Sequence, residues 1–158
     1  MANRTGAREE SEKERLDRNL LELLNEVRVA LPGVQVLFAF LLTVPFTARF
    51  ETLTSGQETV YYITLISTAI STALLIAPSA HHRITFRRQD KHYLVFLANR
   101  LTIAGLGFLA LAMSGVMLLI TDVLYGMTAT VIAGSVTVVG FTTLWYAMPI
   151  VRRLRRPE

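Results

Sequence analysis

The chain has 158 residues, of which 52% are hydrophobic and 18% are charged, and its formal net charge is +4. A soluble domain carries roughly a quarter charged residues, so this chain has too little polar surface for an ordinary water-soluble fold, and too much apolar content for a disordered one. It contains no cysteine, which excludes thiolate metal sites, cysteine nucleophiles and a disulfide scaffold. The composition predicts a polytopic membrane protein.

The first 28 residues are charged and precede any apolar run. Ser11 and Glu14 fit a capping box, S-x-x-E, which is typical of a helix N-terminus. Apolar residues then recur at helical spacing: Leu16, Leu20, Leu23, Leu24 and Val27. We predict a cytoplasmic amphipathic helix from about residue 11 to residue 27, within a separate segment 1–28.

The charge of this segment leaves two interpretations open. Residues 1–28 carry six basic and seven acidic groups, whereas residues 78–92 and 150–158 each carry a net charge of +3. The segment is therefore not a polybasic lipid-binding helix. Its acidic face either docks on these basic elements, or the helix is solvated and lies on the membrane by its leucines.

Four later stretches are long enough to cross a bilayer, which takes roughly 20 apolar residues of helix. The predicted spans are about 29–46, 60–77, 93–120 and 127–150. The third is longer than a bilayer needs, so its first turns are expected in the interface. The predicted fold is an all-α integral membrane protein with a four-transmembrane-helix bundle at 29–150 and a basic tail at 151–158.

The orientation follows from the basic residues near the span ends, because cytoplasmic segments carry the excess of Lys and Arg. The N-terminal segment, the second connection and the tail hold 14 of the 16 basic residues. The first connection holds only Arg49, and the third holds none. We predict that both termini are cytoplasmic, and that the positive charge faces the membrane rather than nucleic acid.

Prolines and glycines predict the ends of several spans. Pro32 lies near the start of the first span, where its missing N–H costs little if the helix begins there. Pro78 is expected to close the second span, and residues 122–126 form a tight turn before the fourth.

Small residues at a spacing of four predict helix-contact faces, because close packing drives helix association in lipid. A hydroxyl-lined pore is the alternative interpretation. On either view the repeats favour a homo-oligomer within the lipid bilayer. The candidate packing residues are Thr64, Thr68, Thr72, Ala69, Ala73, Gly126, Thr130 and Gly134.

Strongly polar residues inside the spans are few. Gln35 lies in the first span, Asn99 and Arg100 lie in the third, and Glu26 precedes the first span. Polar groups at this depth are expensive and mark structural pairs or functional sites. Arg100 either extends its guanidinium to the headgroups or bonds Gln35, Asp90 or Glu26, or the cluster forms a ligand or ion site.

Catalytic chemistry finds no support in the sequence. No Asp, Glu or His lies deep in a predicted span, which argues against a self-contained proton antiporter. His81, His82 and His92 lack acidic or cysteine partners at metal-ligand spacing. Hydrolase, phosphate-loop and zinc-protease motifs are absent. We expect no catalytic, cofactor or metal site, and no enzyme activity.

Three strings carry a family resemblance. They are EVRVALPGVQVLFAFLLTVPF at 26–46, IAPSA at 76–80 with the basic positions that follow it, and ANR at 98–100 followed by AGL at 104–106. Over about residues 20–120 the chain resembles a family of small, Arg-rich, four-span actinobacterial membrane proteins of unknown function, some of which are labelled sodium/proton antiporters. The resemblance implies the four-span fold and a bacterial inner membrane.

The sequence predicts a non-catalytic inner-membrane protein that works through helix assembly, as a subunit or accessory of a larger membrane system with an unrelated membrane-protein partner. The alternative is a small oligomeric ion transporter or channel, for cations or protons, whose pathway lies near Gln35, Asn99 and Arg100.

Overall fold

The structure is a computed structural model that describes residues 12–84 and 91–155, and these residues form helices and short turns without a strand. The helices are α1 (Glu12–Thr43), α2 (Ser55–Ile84), α3 (Lys91–Tyr125), α4 (Met127–Phe141) and α5 (Met148–Leu154). A π-helical segment, Thr142–Ala147, joins α4 to α5, and two 3₁₀ turns, Val44–Phe46 and Phe50–Thr52, follow α1.

Four helical stretches are long and apolar enough to cross a membrane. They contain the four predicted spans, so the all-α, four-span prediction is confirmed. Their bounds are Glu14–Phe46, Ser55–His81, Tyr93–Tyr125 and Met127–Arg152.

The predicted amphipathic helix and the first span form one continuous helix, α1, with Pro32 in its interior. The interpretation of Pro32 as a residue at a helix start is therefore wrong. Leu20, Val27, Val34 and Leu41 are buried at intervals of seven residues, so one apolar stripe runs through the predicted boundary without a change of phase. A seven-residue repeat favours a shallow, left-handed crossing against the neighbouring helices. Ser11 of the capping box lies outside the described residues.

The buried apolar stripe of the N-terminal segment faces the bundle, whereas Leu21 is exposed. Leu20 and Val27 are buried, and Leu23 packs against the core formed by Val27, Val34, Leu75 and Leu109. The segment therefore does not lie along a membrane surface by its apolar face. Docking of its acidic face on the basic loop and tail remains a prediction, because residues 85–90 and 156–158 lie outside the described chain.

Helix α2 passes through Pro78 and ends at Ile84, so the prediction that Pro78 closes the second span is wrong. A proline has no N–H to give to the carbonyl four residues earlier, here that of Leu74. Membrane helices tolerate such prolines when neighbouring helices cover them, and Pro78 is fully buried.

The helices do not contact one another equally. The contact between α2 and α3 is the most extensive, α1 packs against both of them, and α4 packs against α3 alone among the described long helices. The bundle is therefore a three-helix unit of α1, α2 and α3 with α4 along one edge. We call the continuous helical stretch Met127–Arg152, which comprises α4, the π-helical segment and most of α5, the last helix.

A single residue, Gly126, links α3 to α4. Its φ of 79° and ψ of −177° fall in a region that only glycine adopts readily. The N–H of Gly126 donates to the carbonyl of Asp122, and the carbonyl of Gly126 accepts from the N–H of Thr130, at 3.2 Å each. The predicted tight turn is thus shorter than expected, because glycine lets one helix end where the next begins.

The alternating helices place the start of α1 and α3 and the end of α2 and α5 at the same end of the bundle. We call this the basic end, because its described residues include Arg15, Arg18, Arg83, Arg100, Arg152 and Arg155. The opposite end carries Arg49.

Candidate functional site

A row of hydroxyl side chains runs along α2. Thr64 and Thr68 are buried, and Thr72 is half-buried. Each donates a hydrogen bond to the carbonyl four residues earlier in its own helix, at 2.7, 2.8 and 2.9 Å respectively. Because their hydrogens are used within α2, these three hydroxyls offer at most lone pairs to any passing solute.

Glycines of α3 bring the two backbones together along this row. A Cβ on Gly115 would overlap the hydroxyl of Thr64, and a Cβ on Gly105 would lie 2.9 Å from the side chain of Leu75. Ser71 donates a 2.8 Å hydrogen bond across the contact to the carbonyl of Gly105. We call this contact the α2–α3 seam; it is close-packed and internally hydrogen-bonded.

The other candidate packing residues lie in different surroundings. Ala69 is half-buried and Ala73 is exposed. In α4, Thr130 and Gly134 are buried, and a Cβ on Gly134 would overlap the side chain of Leu118 in α3. Gly126 is exposed with open space where a Cβ would stand, so its contribution is the turn rather than a contact.

Two members of the predicted polar cluster come together in a cavity of about 410 Å³ between the start of α1 and the start of α3. Glu26 and Asn99 line it, and α1 adds Asn19 and Glu22. Glu22 lies 3.7 Å from Arg18 in an exposed ion pair, which contributes little to stability. The cavity presents two carboxylates and two carboxamides at the basic end.

Arg100 is exposed beside this cavity. Its guanidinium lies 4.4 Å from the ring centroid of Phe96, a cation–π contact within α3, and Phe96 itself lines the cavity. Arg100 thus takes an aromatic neighbour rather than Gln35 or Glu26 as its partner. The third acceptor named in the prediction, Asp90, lies outside the described residues.

Gln35 lies apart from the other three residues. It is exposed on α1, in the middle of the first apolar stretch, beside Val36 and Phe40, which are 56% and 69% exposed. No hydrogen-bond partner for its amide lies within residues 12–84 and 91–155. The structure therefore brings together Glu26 and Asn99, places Arg100 next to them, and turns Gln35 outward.

A second cavity, which the sequence did not predict, lies between α3 and the last helix. It has a volume of about 330 Å³ and a largely apolar and aromatic lining: Ile103, Leu106, Trp145, Tyr146, Pro149 and Ile150. The hydroxyl of Tyr146 donates to the carbonyl of Ile103 at 3.1 Å, in the space that Gly107 leaves. The sequence signal for this cavity is the aromatic pair Trp145 and Tyr146, followed by a proline at position 149.

The opposite end is fixed by polar contacts that sequence reasoning also missed. Thr54 and Gln57 form a reciprocal capping box at the start of α2, at 3.3 and 3.0 Å. The Gln57 amide then donates to the carboxylate of Asp122 at 2.7 Å. The sequence signal was the T-x-x-Q spacing immediately before the second apolar run.

Among the described residues no group of three His, Asp or Glu side chains could hold a metal ion. His81 is half-buried and takes part in an interaction. The side chains of His82 and His92 lie outside the described set.

Comparison with known protein families gives a match over most of the chain. Residues 9–149 match the model of DUF6328, a family of unknown function. The chain belongs to this family. The match covers the first cavity, the first three helical spans and the fourth span of the DUF6328 protein up to residue 149, so that Ile150 of the second cavity lies just beyond it. Neither the curated proteins nor the solved structures give a match.

Proposed function

We propose that this DUF6328 protein is a non-catalytic, multi-pass inner-membrane protein that acts through helix assembly, as a homo-oligomer that serves a larger membrane system. The observation that carries the proposal is the outward placement of Gln35 on α1.

A carboxamide in hydrocarbon costs several kcal/mol when its donors and acceptor are unpaired. Gln35 is exposed in the middle of an apolar stretch, where lipid offers it no partner. A second copy of the chain offers a hydrogen-bond partner, because each amide carries both a donor and an acceptor. Two such amides can pair across a two-fold axis. Glutamine is among the side chains that join membrane helices in this way.

The neighbours of Gln35 support close approach of a second α1. Pro32 and Ala39 lie three residues before it and four residues after it, so they share its face, and both are exposed. Small side chains on a lipid-facing surface allow helix backbones to come near each other. The larger Phe40 points away from this face.

The α2–α3 seam supports assembly over transport. Its hydroxyls donate within the protein, and its glycines are filled by Thr64 and Leu75. A solute crossing one subunit would have to open this contact. The groups available to other molecules lie on the outer faces of the helices.

Cross-linking tests the α1 contact in the full chain, which has no cysteine of its own. Ala39→Cys places a thiol about 40° from Gln35 around the helix, and Phe40→Cys places one about 140° away. We expect Ala39→Cys to form disulfide-linked dimers in lipid at least several times faster than Phe40→Cys. Equal rates, or a faster rate for Phe40→Cys, would contradict the proposal.

The second candidate function is that of a small oligomeric transporter or channel for cations or protons. The cavity with Glu22 and Glu26 favours it, because carboxylates and carboxamides suit a cation. On this view, liposomes that contain only this protein show cation or proton flux, and Glu26→Gln reduces the flux while Glu51→Gln at the opposite end does not. Absence of flux from correctly assembled protein removes this candidate.

We propose further that the basic end is cytoplasmic, in the inner membrane of an actinobacterium. The support is the concentration of arginines at that end and the single Arg49 at the other. A reporter that is active only in the cytoplasm should be active when it is fused after Glu158, and a reporter that is active only in the periplasm should be inactive there.

Purification from the native membrane should also bring down an unrelated membrane partner if the protein is an accessory subunit.

A further inference from the structure

The cavity between α3 and the last helix has the shape and chemistry of a lipid site. Its volume of about 330 Å³ lies within the range of small-molecule sites, and its lining is largely aliphatic or aromatic. It opens to the outside of the bundle, because Ile103, Pro149 and Ile150 of its lining are exposed. An acyl chain can therefore enter it directly from the bilayer.

The local backbone keeps this cavity open. The segment Thr142–Ala147 is π-helical, and such segments occur frequently at functional sites. Pro149 follows it and lacks the N–H that a regular helix would use at that position. The Tyr146 hydroxyl bridges to the carbonyl of Ile103, so the two helices are held together at one point while the space beside it remains.

Positive charge lies at the end of the cavity that faces the basic end. Arg100 precedes Ile103 by three residues, so it lies on the same face of α3, about one helical turn beyond the apolar lining. No carboxylate within residues 12–84 and 91–155 forms an ion pair with it. Arg152 follows Pro149 by three residues, and Arg155 follows it by six, and both are exposed.

We propose that this cavity binds an anionic phospholipid, with one acyl chain against Trp145, Tyr146 and Ile103 and the phosphate held by Arg100. A guanidinium is weakly hydrated and matches phosphate oxygens with two parallel N–H groups, so it suits this task better than a lysine. Arg152 and Arg155 add positive potential at the same level, which favours a lipid with net negative charge over a zwitterionic one. This site goes beyond the assembly proposed above and does not depend on it.

Trp145 is the only tryptophan in the chain and lines the cavity, so its fluorescence reports occupancy without a label. The full chain is reconstituted in phosphatidylcholine vesicles that contain a small fraction of lipid brominated on the acyl chain. In one preparation the brominated lipid is phosphatidylglycerol, and in the other it is phosphatidylcholine. Bromine quenches tryptophan only at contact. We expect the apparent occupancy of the cavity to be about fivefold higher for brominated phosphatidylglycerol than for brominated phosphatidylcholine.

Arg100→Gln should reduce this preference to near unity. Arg28→Gln is the matched control, because it removes the same charge from α1, whose described residues do not line the cavity. It should keep the preference. Equal quenching by the two lipids in the wild type, or an unchanged preference in Arg100→Gln, overturns the proposal.

A competition experiment keeps the test independent of the variant's folding. In the wild type, unlabelled phosphatidylglycerol should relieve quenching by brominated phosphatidylglycerol several times more effectively than phosphatidylcholine does. Inorganic phosphate at millimolar concentration should have no effect, because the acyl chain is part of the ligand. Equal relief by the two lipids, or relief by phosphate alone, contradicts binding of an anionic phospholipid.

Discussion

The α2–α3 seam and the contact between α3 and the last helix contain the same kinds of residue, but one contact is filled and the other is not. In the seam, Gly115 lets the side chain of Thr64 lie against the backbone, and Ser71 hydrogen-bonds across the contact. At the last helix, Gly107 makes room only for the distal hydroxyl of Tyr146, and a cavity remains beside it. One contact is closed and structural, whereas the other has space for a ligand. The space that a ligand could enter therefore lies beside the last helix and not within the seam.

The largest expected effect distinguishes these two contacts directly. Gly115→Ala should lower the free energy of unfolding by about 3 kcal/mol, because the new Cβ overlaps a β-branched side chain that is itself buried. Gly107→Ala should change it by less than about 1 kcal/mol, since a tyrosine hydroxyl moves away easily and alanine favours the helix. Unfolding in mixed detergent micelles measures both. Equal losses would show that the two contacts are equally tight.

Gly126→Ala tests the turn that ties the last helix to α3. The φ of 79° is strained for alanine, and we expect a loss of about 2 kcal/mol. Gly140→Ala is the control, because a Cβ there meets no atom within 4 Å. The emission of Trp145 should shift in Gly126→Ala and not in Gly140→Ala. A shift in neither would mean that the turn does not position the last helix.

Tyr61 extends the comparison to the contact between α1 and α2. Its hydroxyl donates at 2.8 Å to the carbonyl of Leu41, which has lost its usual donor because residue 45 is a proline. Tyr61→Phe leaves that carbonyl unpaired and should cost about 1 kcal/mol. Tyr62→Phe, at an exposed neighbouring position, should be neutral. A similar loss in both variants would mean that the effect comes from the position of these tyrosines near the membrane–water interface, and not from the hydrogen bond between Tyr61 and Leu41.

The smallest expected effect concerns Thr102. Its hydroxyl is buried and finds no hydrogen-bond partner in the described chain, in contrast to the hydroxyls of the seam. Thr102→Val removes a buried polar atom at nearly constant shape, so the stability should stay within about 0.5 kcal/mol or rise. Ser71→Ala, which removes a made hydrogen bond, should be destabilising by comparison. A clear loss in Thr102→Val would reveal a partner for its hydroxyl.

The spans could be predicted from the sequence because hydropathy and length act locally. The continuity of α1 could also have been found, since Leu20, Val27, Val34 and Leu41 keep one heptad phase through the predicted boundary. Pro32 and Pro78 misled the prediction because their local preference for helix starts and stops is weaker than the gain from packing a long helix.

The candidate site was predictable only in part. Glu26 and Asn99 lie on helices that the topology brings to the same end, so residue type and depth were enough to suggest their proximity. The outward direction of Gln35 depends on which face of α1 meets the bundle, and that follows from the tertiary packing of α2 and α3. The cavity at Trp145 depends on a local π-helical distortion, for which hydropathy has no signal.

The central claim is that Gln35 joins two copies of the protein, and subunit counting in lipid tests it most directly. Single-molecule photobleaching at high lipid-to-protein ratio should show two subunits per complex for the wild type and for Val36→Leu, and one for Gln35→Leu, since leucine removes the paired amides and keeps the apolar surface. A wild-type protein that is monomeric under these conditions, or a Gln35→Leu variant that stays dimeric, would contradict the account.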